Sequence, residues 1–117
     1  FPDAIGVNGW PVEAHVAGNV DFRFARGERG FNQLPYRMLL PLSVENLFVA
    51  GRCASMTHDG QSSARVSGPC FVMGQAAGTA AHLSLRSGKP PRQIDVQALQ
   101  EKLEQDGAYL GSDLVTQ

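Results

Sequence analysis

The chain has 117 residues, 43% hydrophobic and 18% charged, with 10 basic against 11 acidic side chains. That composition excludes general disorder, and a formal net charge of -1 lacks the positive field that carries nucleic-acid binding. No apolar run approaches the roughly eighteen residues of a membrane span, and a chain of this size supports one core that buries about two-thirds of its unfolded surface.

The opening FPDAIGVNGW has neither the basic start nor the apolar block of a signal peptide. It also lacks an initiator methionine, so a processed product or a piece of a longer chain is expected. Gly6, Gly9, Pro11 and Gly18 break the first residues into short extended pieces, of which VEAHV alternates at period two and reads as a strand. VDFRFARGERGF alternates again, with Val20, Phe22 and Phe24 on one face and Asp21 and Arg23 on the other, and turns at Gly27 or Gly30. These are antiparallel strands with one wet face. Arg23, Arg26 and Arg29 form a small basic cluster interrupted by Asp21 and Glu28. YRMLLP reads as a further extended element between Pro35 and Pro41.

ENLFVAG, apolar from Leu47 to Ala50, has the character of a buried parallel strand, and a polar, irregular segment over 52 to 65 follows it. A helix then runs from Gly68 or Pro69 to Arg86, with Pro69 tolerated in its first turn and Gly88 as a left-handed cap. A last helix is N-capped by Asp95, carries Val96, Leu99 and Leu103 on one face, and ends at Gly107. The tail SDLVTQ is either frayed or tethered through Leu110, Leu114 and Val115. Phe48, Val72, Ala76 and Leu83 are expected in a buried layer. A parallel strand needs neighbours and helices on both faces, and too few such strands are present, so the predicted class is α/β and incomplete on its own.

Gly68, Gly74 and Gly78 occupy a helix in which each interior glycine costs about 1 kcal/mol relative to alanine. Close approach of another surface is the expected compensation: either the helix packs flat on a sheet, or its start, from Ser67 to Gly74, offers free amides to a polar ligand. Arg52 and Arg65 bracket CASMTHDGQSSA. They can hold a carboxylate or phosphate through their planar forks, or pair with Asp59 or Glu45. His58 is a proton carrier or a hydrogen-bonded structural group, and His15 shares a strand face with Glu13. His82 reads as structural or exposed. No GxSxG elbow is present, and nothing in the spacing of Glu13, His15, His58 and Asp59 favours a metal. Cys53 and Cys70 make neither a metal motif nor a disulfide framework, which points to a reduced, cytoplasmic protein. GxGxxG is absent.

From residue 36 onward, YRMLLP, VENLFVAGRCASMTHDGQSSARV and GPCFVMGQAAGTAAHLSLRSGKPPRQIDVQALQEKL resemble the C-terminal portion of the glutathione-reductase-like FAD superfamily. The closest likeness is to the FAD-dependent oxidoreductase family, and VNGWPVEAH joins it more weakly. The resemblance implies that residues 45–117 are the C-terminal piece of a Rossmann-like FAD-binding domain, and that 1–44 are antiparallel substrate-domain strands returning to it. It implies FAD as cofactor, with Gly51 and Arg52 at the strand end, Ser63, Arg65 and Val66 near the ring, and Gly74, Gln75 and Ala76 in the cofactor-facing turn of the helix. His15, Tyr36, Arg37 and His58 become candidates for the substrate pocket. The family's GxGxxG unit is missing from this sequence, so the remainder of the flavoprotein, from the same gene or another chain, is the expected partner. The alternative is a truncated, non-catalytic structural or interaction domain. The chain by itself is expected to bind FAD weakly or not at all, and to expose apolar surface for another chain or a second copy to cover.

Overall fold

The computed structural model describes residues 1–24 and 30–111. The expected turn at Gly27, the Arg26, Glu28 and Arg29 part of the basic cluster, and the Leu114 and Val115 tethers lie outside the described residues. The fold is mixed α/β with open sheets. Strand β1 (Ala4–Asn8) pairs antiparallel with β4 (Asn32–Pro35), and β2 (Val12–Val16) pairs antiparallel with β3 (Asn19–Arg23). Helices α1 (His58–Ala64), α2 (Ser67–Ser87) and α3 (Val96–Gln105) follow.

The alternating VEAHV and NVDFR segments form the β2–β3 hairpin in the register Val12↔Arg23 to Val16↔Asn19. Its two-residue turn places Ala17 and Gly18 at φ 49° and 83°, the both-positive geometry that suits a twisted hairpin. β1 and β4 form a second ribbon, with a register irregularity between Ala4 and Gly6. Gly6 marks its contact with α2, where an added Cβ would lie 2.3 Å from Val72 Cγ1.

Two expected extended elements take other forms. YRMLLP was expected as a strand, but Tyr36–Leu39 is a 3-10 turn that buries Tyr36, Met38 and Leu39. A proline restricts the residue before it to extended backbone, which here is Leu34 in β4, and leaves the residues after it free to turn. Leu47 to Ala50 is assigned to no strand. A strand exists through a ladder, and among the described residues this segment has one isolated backbone bond, Val49 N donating to Leu39 O at 2.9 Å. Phe48 and Ala50 pack at the edge of the core, while Leu47 is exposed.

The segment 52 to 65 is not wholly irregular either. Gly51–Cys53 is a 3-10 turn, and α1 is capped by Thr57, whose hydroxyl accepts from Gly60 N at 3.1 Å. Its weak helix formers hid it, and burial of Ser63 and Ala64 holds it. α2 and α3 are as the pattern predicts, with Gly88 left-handed at φ 65° and Asp95 accepting from Gln97 N and Ala98 N. α2 buries Pro69, Met73, Ala76 and Ala80 on one stripe. These meet Ile5, Leu34 and Leu39 from one side of residue 44, and Leu99 and Leu103 from the other, in one core. Val72 and Leu83 pack against its edge.

The opposite stripe of α2 is open. Phe71 is 77% and Leu85 85% exposed, and Gly74, Gln75 and His82 are exposed with them. A Cβ at Gly68, Gly74 or Gly78 would meet nothing within 4 Å. The expected flat packing at these glycines therefore does not occur among the described residues; the close approach is at Gly6.

Candidate functional site

The polar residues singled out from the sequence gather where α1 turns into α2. Gly51 takes a left-handed φ of 72° beside Cys70 at the start of α2, a backbone conformation that favours glycine. Arg52 Nε donates to the Arg65 carbonyl at 3.1 Å, and Gln61 Nε2 donates to the Arg52 carbonyl at 2.9 Å. These bonds tie the 3-10 turn to α1 and its C-cap. α2 begins after Val66 with no side-chain cap among the described residues and no acidic group in its first turn. Pro69 has no N–H and Cys70 N donates to Val66 O at 3.3 Å, so the donors without an intrahelical acceptor are the amides of Ser67 and Gly68, both exposed residues.

Next to this junction lies a hollow of about 190 Å³ lined by Glu13, His15, His58, Gln61, Ser62 and Arg65. Period-two alternation puts Glu13 and His15 on one face of β2. Helical spacing puts His58, Gln61, Ser62 and Arg65 on one face of the chain through α1, at i, i+3, i+4 and i+7. That polar stripe was the signal from which Gln61 and Ser62 were recoverable. Arg65 Nη2 lies 3.7 Å from Glu13 Oε1 and 3.5 Å from His15 Nε2, and His15 Nε2 is 3.6 Å from Glu13 Oε1. The carboxylate partner of Arg65 is thus Glu13, in place of the expected Asp59 or Glu45.

The remaining candidates go elsewhere. Ser63 is buried behind α1, where its hydroxyl accepts from Asn8 Nδ2 and donates to Trp10 O, both at 2.6 Å. It fixes α1 against the ribbons. Tyr36 is buried and donates to Pro91 O at 2.7 Å. Burial raises its phenol well above the ordinary value, against a smaller opposing effect of Arg92. Arg37 pairs with Asp3 and lines a separate hollow of about 580 Å³ with Leu40, Cys53 and Arg92. The structure therefore brings His15 and His58 together and leaves Tyr36 and Arg37 outside their hollow. Gly74 and Gln75 lie on the open face of α2, while Ala76 is fully buried in the core.

Among the described residues no group of three or more His, Cys, Asp or Glu is placed to hold a metal, and no helix is long and apolar enough to cross a membrane. Residues 1–103 match the model of a family described as FAD dependent oxidoreductase. No curated protein and no solved structure matches the chain.

Proposed function

The chain belongs to the FAD dependent oxidoreductase family, and on that premise we propose that it supplies the part of a flavoprotein facing the ribityl chain and isoalloxazine ring of FAD. The observation that carries this is the start of α2, free of a side-chain cap among the described residues and free of acidic groups. A helix start of this kind favours negative charge. Gly51, Arg52, Arg65 and Val66 surround it, and the exposed Gly68, Gly74 and Gln75 leave room that a larger side chain at the glycines would fill. These features fit the flavin half of the cofactor. The glycine-rich turn that would hold the adenosine half is absent from the sequence.

When bound, FAD supplies the oxidising chemistry by accepting a hydride equivalent from the substrate. This chain's own residues bind and orient. The Ser67 and Gly68 amides at the start of α2 would hold negative charge on a bound flavin, and Arg52 would add positive charge at the same end. Ser63 positions α1 through its two hydrogen bonds, and Ala76 sets the depth of α2 in the core. The open face of α2 is where the remainder of the flavoprotein, bearing GxGxxG, packs. A non-catalytic interaction module is the second reading, favoured by the same exposed Phe71 and Leu85.

The test is an amide NMR titration of the purified chain with FAD. Binding weaker than about 1 μM is expected, with shifts at Gly51, Arg52, Ser67 and Gly68 and none at α3. Shifts elsewhere only, or none at millimolar FAD, would refute the flavin reading and leave the interaction module.

A further inference from the structure

We propose that the hollow between β2 and α1 binds a small carboxylate, with the Arg65 guanidinium as the recognition group. Arg65 touches its neighbours through Nη2 alone, at 3.5 Å from His15 and 3.7 Å from Glu13. Both separations exceed the roughly 2.7–2.9 Å of a made charge-assisted bond. Nε and Nη1 have no hydrogen-bond partner among the described residues. The backbone of Arg65 is nevertheless fixed, its amide donating to Gln61 O at 3.0 Å and its carbonyl accepting from Arg52 Nε. A guanidinium with unused donors on one planar fork, carried on a backbone fixed at two points, matches the two oxygens of a carboxylate.

The rest of the lining supports the same ligand class. His58 contributes a ring with no partner among the described residues, while Gln61 and Ser62 are anchored by bonds to the carbonyls of Arg52 and Asp59. The volume of about 190 Å³ equals the share of about six waters, which suits a small acid and is far too little for a dinucleotide. Glu13 decides between anions. Its carboxylate, 3.7 Å from Arg65 Nη2, offsets much of the Arg65 charge and repels a dianionic phosphate about twice as strongly as a monocarboxylate, while the cost of stripping water from the ligand is also greater for the dianion.

The identity of this carboxylate as part of the substrate rests on the flavin reading, because Arg65 immediately precedes Val66 at the start of α2. The reaction class would then be two-electron oxidation of a small carboxylic acid at a carbon beside the acid group held by Arg65. A C–H bond breaks, a C=C or C=X double bond forms, the hydride equivalent goes to the flavin and the accompanying proton to solvent.

The experiment titrates sodium propionate, and separately inorganic phosphate, into the isotope-labelled full chain while the Arg65 side-chain and His15 and His58 ring signals are recorded. Saturable shifts at Arg65 with propionate, at least about tenfold tighter than with phosphate, are expected. Arg65→Gln abolishes the propionate shifts of the His15 and His58 rings, Arg65→Lys weakens them, and His58→Gln, a change at an exposed residue, weakens the shifts at Arg65 while the fold is kept. Phosphate binding as tightly as propionate, no saturable shift at Arg65, or unchanged affinity in both Arg65→Lys and His58→Gln would overturn the proposal. The titration needs no flavin. Propionate shifts alongside α2 amides that ignore FAD would sink the flavin reading and leave the carboxylate site standing, and the converse pattern would do the opposite.

Discussion

The β1–β4 and β2–β3 ribbons are both short antiparallel pairs, yet β1 is buried at Ala4, Ile5, Gly6 and Asn8 while β3 is exposed along its whole length. The difference lies in what each one meets. Gly6 lets β1 approach α2 until only a hydrogen fits against Val72, and the long helix then covers the strand. β2 meets α1, which is one short helix of 7 residues, and β3 is left with Val20 and Phe22 exposed, as is Phe24 just after it. Alternation is enough to make a ribbon. Burying it requires a partner surface that can come close.

The largest effect that tests this contrast is truncation on each side. Ile5 is 0% exposed and Phe22 is 50% exposed. Ile5→Ala is expected to cost about 2–5 kcal/mol, and Phe22→Ala to stay within about 0.5 kcal/mol, in urea denaturation of the purified chain. Equal losses would mean that the second ribbon is part of the core after all.

Ser63 links the two regions, because its hydroxyl holds the Asn8 side chain of β1 and the Trp10 carbonyl just before β2. Ser63→Ala leaves those buried groups short of a partner and should destabilise by about 1–3 kcal/mol. A loss below that range, measured by the same denaturation, would show the ribbons to be coupled by packing alone. The smallest effect sharpens the contrast from the other side. Ala17 holds a left-handed φ of 49° in the β2–β3 turn, which an asparagine adopts more readily. Ala17→Asn should therefore stabilise that hairpin by up to about 1 kcal/mol, seen as slower amide exchange in β2 and β3 with β1 and β4 unchanged.

The local signals in the sequence determined a good deal. The β2–β3 hairpin, α2 with its Gly88 cap and α3 with its Asp95 cap follow from alternation, helical spacing and capping chemistry, all of which act between residues close in the chain. The family likeness over most of the sequence was readable as well. Tertiary structure decided the rest. Leu47 to Ala50 has the composition of a parallel strand, but a strand requires a ladder, and among the described residues no strand pairs with it. Tyr36 and Arg37 adjoin in sequence but part company, one turned into the core and one to the surface, while His15 and His58 share a hollow with Arg65 because β2 packs against α1. Such meetings depend on which distant surfaces can approach one another, and a glycine such as Gly6 shows its purpose only once Val72 is seen beside it.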